Sequence, residues 1–230
     1  MNLRNRNAAV TASVALAASA FLLAPTSSAA PVPAAAPAAV KAATGTTSLA
    51  AVLTANGGGK FDKNWHDYDI VTSAVLAVLA AKPTSTVAAL TDGTVALTAF
   101  IPNDRAFQIL VKSLTGKKPK TEKATFKAVA SLGIPTIEKV LLYHVVVGPA
   151  IDSSAALKAN GVKLMTALGI KVRVQVTKKP SIILVDKDRG ARNARVILSQ
   201  VDINKGNAQI AHGIDRVLRP INLPNKHGIS

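Results

Sequence analysis

The chain of 230 residues has no cysteine. Disulfide frameworks, thiolate zinc sites and thiol nucleophiles are therefore excluded, and the fold rests on its apolar core. Aromatic residues make up 3% and include a single tryptophan, so the chain offers no run of rings on which nucleic-acid bases could stack. The Gly-x-Ser-x-Gly elbow of a serine hydrolase is missing. The histidines, His66, His144, His212 and His227, are scattered singly, with no pair at the helical spacing of a metal site. Gly57-Gly58-Gly59 precedes Lys60 without the spacing or the Ser/Thr of a phosphate loop. No metal site and no cofactor is expected. Acidic residues are few, 12 against 28 lysines and arginines, and the formal charge is +16.

That charge is uneven. The first 99 residues carry +2 and the rest, from Phe100 onward, carry +14. A field of this kind favours polyanionic partners and a soluble, self-repelling monomer. The N-terminus has a different character. Arg4 and Arg6 lead into an apolar run from Ala8 to Ala24, followed by Pro25 and Ser27-Ser28-Ala29. Small residues at the two positions read by a signal peptidase complete a secretory signal over residues 1–29. The run is short and alanine-rich for a membrane span, so none is expected after cleavage. Asn5 separates the two arginines, which removes a twin-arginine route. Residues 30–60 are Pro/Ala/Gly-rich and predict a linker. Residues 61–224 are expected to form one domain and 225–230 a tail.

Within the domain, Asp69 is a candidate cap for a helix from Ile70 to about Ala81, which Pro83 ends. Thr94 to Ile101 reads as a buried strand. Pro102-Asn103-Asp104 then opens a helix through Phe107 and Leu110 that Gly116 closes. A further helix runs through Phe126 and Val129 to Gly133, and Pro135 suits the first turn of the next. Asp152 or Ser153 caps a small helix before Gly161. The period then changes. Val172, Val174 and Val176 alternate with Lys171, Arg173 and Gln175, as in a half-buried strand. Strands are also predicted at 181–185, at 195–202, and at 209–218 beyond a turn at Asn204–Asn207. Helices early and antiparallel strands late predict an α+β fold.

Three stretches resemble the signature motifs of the fasciclin domain family. Thr98-Ala99-Phe100-Ile101-Pro102-Asn103-Asp104-Arg105-Ala106-Phe107 resembles its first box. Leu141-Leu142-Tyr143-His144-Val145-Val146 resembles its Tyr-His motif. Asn207 to Pro220, with His212 and Asp215, resembles its second box. The resemblance covers about Tyr68 to Pro224 and implies a β-sandwich wedge with a helical layer on one side, in a single domain. It also implies an extracellular, cell-surface or cell-wall-associated role in adhesion rather than catalysis. Animal integrin-binding motifs are not recognisable.

Two readings of function follow. In the first, the protein is a secreted non-enzymatic module for adhesion or envelope binding, with an envelope or matrix polyanion or another surface protein as partner. Two basic stretches outside the boxes are its candidate contacts: Lys117, Lys118, Lys120 and Lys123, and Arg189 and Arg192. Phosphate contacts alone would give salt-sensitive, non-specific binding to nucleic acid, so an envelope polymer fits an exported chain better. In the second, the protein is a secreted hydrolase or lyase using His144 and His212 with an aspartate. Against this, a buried histidine hydrogen-bonded to a carboxylate or carbonyl is commoner than a catalyst. The resemblance makes Asp104 the preferred carboxylate for either histidine. Asp186 and Asp188 alternate with Lys187 and Arg189, which predicts a self-neutralising surface turn.

Overall fold

A computed structural model describes residues 45–56, 58–179 and 181–222. The expected signal, the first part of the linker and the C-terminal tail lie outside them. In chain order the elements are α1 (Leu49–Ala55), α2 (Asp69–Ala81), β1 (Leu97–Pro102), α3 (Asp104–Thr115), α4 (Glu122–Ala130), α5 (Ile134–Tyr143), β2 (Val145–Val147), α6 (Ser153–Lys158), β3 (Lys163–Met165), β4 (Lys171–Val176), β5 (Ile182–Val185), β6 (Ala194–Arg195) and β7 (Gln209–Ile214). Helices and sheets are mixed in an α+β fold.

Every residue of β1 is buried. A strand without polar alternation must be covered on both faces, and β1 feeds two separate cores. Leu97, Ala99 and Ile101 pack with the helices, against Ile70 and Val78 of α2, Phe107 of α3 and Leu141 of α5. Phe100 points the other way and packs with Val172, Val174, Ile182 and Leu184 of the second sheet. The order of layers is thus helices, a three-stranded sheet β2-β1-β7, and a four-stranded sheet β3-β4-β5-β6.

The three family-like motifs are the three strands of the central sheet and their flanks. β2 runs antiparallel to β1, with Ala99 opposite Val145. β7 runs parallel to it, from Leu97 opposite Gln209 to Pro102 opposite Ile214. The prediction of antiparallel strands late in the chain holds for the four-stranded sheet, whereas β7 pairs along its length parallel to β1 and meets the preceding chain antiparallel only at Val196–Ile214 and Ile203–Ala211. The predicted strand 195–202 also shrinks. Pairing covers Ala194–Arg195, a 3₁₀ turn takes Leu198–Gln200, and single bridges join Val196 to Ile214 and Ile203 to Ala211. Asn103 does cap α3, accepting a bond from the Ala106 amide at 3.0 Å, and Gly116 ends it in the left-handed conformation at φ 77°.

The linker expected over residues 30–60 gives way to the fold by Gly45. Gly45 bridges to Asn207, and α1 buries Leu49 and Leu53 in the helical core. The Pro/Ala bias that suggested a spacer ends before this segment, and two leucines four residues apart are enough to dock one turn of helix. Gln209, fully buried in β7, holds the segment in place. Its Oε1 accepts from the Leu49 amide at 2.8 Å, and its Nε2 donates to the carbonyls of Ala89 and Asp92 at 2.7 and 2.8 Å.

Candidate functional site

His144 is 4% exposed and caps the C-terminus of α5. Nδ1 donates to the Val140 carbonyl at 2.7 Å, which leaves Nε2 to accept from the Leu218 amide at 2.9 Å. Both nitrogens are engaged by backbone in a neutral ring, and burial pushes its pKa down to about 4. His212 is 1% exposed and similarly held. Nε2 donates to the Ile151 carbonyl at 2.8 Å and Nδ1 accepts from the Asp202 amide at 3.3 Å. Burial lowers its pKa too, and the nearest carboxylate oxygen, on Asp202, is 3.9 Å away. The ring lies 6.1 Å from that of Phe100. The apolar cavity lined by His144, Phe100, Leu141 and Val145 measures about 30 Å³, the scale of one water molecule.

Asp104, the preferred partner of these histidines, bonds to neither. It is the first residue of α3, and its carboxylate turns to the N-terminus of α2, accepting from the amides of Ile70 at 2.9 Å and Asp69 at 3.3 Å. The expected capping of α2 by Asp69 is corrected in the same stroke. Tyr68 occupies the cap position without a side-chain bond, and Asp104 supplies the acceptor from another helix. Asp69 instead accepts from the Gly59 amide at 3.1 Å. Tyr143 is fully buried, and burial raises its pKa. Asp215 Oδ1 accepts from the Arg195 amide at 2.7 Å and fixes the end of β7 against β6.

Lys117, Lys118, Lys120, Lys123, Arg189 and Arg192 are all exposed. None of the six forms an ion pair among the described residues, where the paired cations are Lys82, Lys205, Arg216 and Arg219 and His212 faces Asp202. The 186–190 loop and the end of α3 meet through a residue that the sequence reading passed over. Arg219, 6% exposed, reaches Asp188 Oδ2 with Nη1 at 2.9 Å and Ser113 Oγ in the last turn of α3 with Nη2 at 2.7 Å. One guanidinium therefore spans the 186–190 loop and the end of α3 that leads into Lys117 and Lys118. The turn at Asp186–Arg189 is not self-neutralising. Asp186 accepts from the Arg219 amide at 2.7 Å, Asp188 is buried under Arg219, and Lys187 and Arg189 are left outward. Lys120 and Lys123 belong elsewhere. The Pro119 carbonyl accepts from Gln108, so the chain has doubled back along α3 by roughly 12 Å at 1.5 Å per residue.

The four-stranded sheet adds cations that were not among the candidates. Val172, Val174, Ile182 and Leu184 face inward. Lys163, Lys171, Arg173 and Arg195 are exposed on the opposite side, with Lys163 opposite Arg173. For Lys171 and Arg173 the signal lay in the same alternation that revealed β4.

A second concentration of ionisable groups is acidic, with Asp69, Asp104 and Glu122 buried. Asp69, Asp104 and Glu122 are the first residues of α2, α3 and α4, and the three helix starts converge beneath the 58–68 loop, which adds Asp62 and Asp67. Burial pushes the carboxyls of Asp104, Asp69 and Glu122 upward. For Asp104 a hydrogen bond to Asp67 adds to the effect, and for the other two the neighbouring carboxylates do. Sequence reasoning took Asp69 as a helix cap and Asp104 as a histidine partner, and it did not single out Glu122.

No curated protein matches the chain. Among solved structures, a FAS1 domain pair from the insect cell adhesion molecule fasciclin I is similar, with a TM-score of 0.45 and 17% identity over 65% of this chain. The chain spans 46% of that structure's length, under half. Domains of this type are in general adhesion modules of extracellular and cell-surface proteins and typically are not enzymes. No helix among the described residues is long and apolar enough to cross a membrane. The family description "Fasciclin domain" matches residues 71–220, well over half of the sequence and all three motifs of the central sheet, and the chain belongs to the fasciclin domain family.

Proposed function

We propose that this protein is a secreted, non-enzymatic adhesion module that holds an anionic polymer of the cell envelope or matrix on its basic surface. One observation supports the reading: Arg219 bonds both Asp188 in the 186–190 loop and Ser113 in the last turn of α3, tying the loop that bears exposed Arg189 to the helix end that leads into exposed Lys117 and Lys118. Cations held on one face sum their fields over the Debye length, about 10 Å at 0.1 M salt. Loops on a rigid scaffold carry them without disturbing the core. The outer cations of the four-stranded sheet extend the same sign of charge. The histidines, each with both nitrogens bonded to backbone, give the hydrolase reading no comparable support.

The test replaces all six candidate residues, Lys117, Lys118, Lys120, Lys123, Arg189 and Arg192, with glutamine. Retention on isolated envelope and on a heparin column should be lost. The thermal melt should stay near the wild-type value, because exposed substitutions of this kind each change stability by about 0.5 kcal/mol or less. Undiminished retention would contradict the proposal.

A further inference from the structure

The chain places five of its 12 acidic residues in one spot, although its net charge is +16. Asp62, Asp69 and Glu122 bring carboxylate oxygens within 4.8 Å of one another, and so do Asp67, Asp104 and Glu122. None of the five forms an ion pair among the described residues. Backbone amides satisfy part of the cluster. Asp104 accepts from Asp69 and Ile70, Asp69 Oδ1 from Gly59, and Glu122 Oε2 from Asp62 at 2.6 Å. Two oxygens are left over, Asp67 Oδ1 and Glu122 Oε1. Both are shielded from solvent; Glu122 Oε1 has no hydrogen-bond partner, the Asp67 carboxylate meets no donor other than the Asp104 carboxyl, and Glu122 as a whole is 0% exposed. Both residues belong to the triad completed by Asp104. A buried carboxylate oxygen without a donor is costly, and buried charges are commonly paired or bound to a metal.

We propose that Asp67, Asp104 and Glu122 bind one divalent cation of the calcium class. The donors are all oxygen, with no histidine or cysteine, which selects a hard ion. Oxygens bound to a common calcium at about 2.3–2.6 Å lie no more than about 5 Å apart, and the triad meets that limit. Magnesium demands shorter bonds and a near-ideal octahedron, which suits this irregular set of helix starts and loop less well. The ion would tie the 58–68 loop to the starts of α3 and α4. The Trp65 carbonyl already accepts from the Arg105 amide there, at 2.9 Å. This site is separate from the basic surface and stands or falls independently of it.

The experiment uses the full chain, stripped with EDTA and returned to buffer with or without calcium chloride. Calcium at about a hundredfold over Kd should raise the melting temperature by about 5–10 °C. Terbium should give luminescence sensitised through Trp65, the single tryptophan, and calcium should displace it. Asp67→Asn and Glu122→Gln should each abolish both signals. If neither variant folds, the wild-type comparison of calcium against EDTA decides alone. An unchanged melting temperature in calcium overturns the proposal, and a rise in melting temperature for Asp67→Asn without metal would assign the cluster to a shared proton instead. A calcium response undiminished by Glu122→Gln also overturns it, because the ion would then sit elsewhere.

Discussion

His144 shows most clearly what a single residue does in this fold. Its ring joins the end of α5 to the Leu218 amide beyond β7, two segments 74 residues apart, and does so as a neutral donor and acceptor. The folded-state pKa of about 4 lies below the ordinary value of 6.5. In acid the unfolded chain takes up this proton before the native state does. The His144 contribution is therefore intact above about pH 6.5 and is lost as pH falls toward 4, at about 1.4 kcal/mol per unit and roughly 3 kcal/mol in all. Glutamine can donate to Val140 and accept from Leu218 without titrating. His144→Gln should flatten the fall in urea-melt stability across that window. A variant with the wild-type slope would show that other groups set the acid limit.

At the scale of elements, α1 is the sharpest departure from the sequence reading. Leu53→Ala should cost about 2–5 kcal/mol by chemical denaturation if α1 is docked as described, whereas a change under about 0.5 kcal/mol would return residues 45–56 to a linker. The contrast with the helices that were legible is physical. Asn103, Gly116 and Pro135 act on their own neighbours, so local chemistry announces α3 and the start of α5. The pairing of β1 with β7 depends on a partner more than 100 residues away, and period-2 alternation says nothing about which strand lies alongside. The acidic cluster escaped for the same reason. Asp69, Asp104 and Glu122 each look like a first-turn acid, and the convergence of three helix starts exists only in the tertiary structure. Asp104 was paired with the histidines because the motifs are shared, and its carboxylate instead finds the unsatisfied amides of α2. Arg219 was hidden in the second box as one more cation of a basic chain.

At the scale of the whole molecule, five of the 12 acidic residues share one cluster while the exposed cations named above lie outside it. Acids gather under the starts of three helices, and cations crowd the end of α3, the 186–190 loop and the outer face of the four-stranded sheet. The central claim is that the cations at the Arg219 junction form the polymer-binding surface. Two triple variants separate that junction from general basicity, because both remove the same charge. Affinity for heparin, measured across a salt series, should fall most for Lys117→Gln/Lys118→Gln/Arg189→Gln. The salt slope of that variant should drop by roughly 2–3 as cation contacts are lost. Lys120→Gln/Lys123→Gln/Arg192→Gln should lose far less. Equal losses in the two variants would contradict the account and reduce the basic surface to a diffuse field.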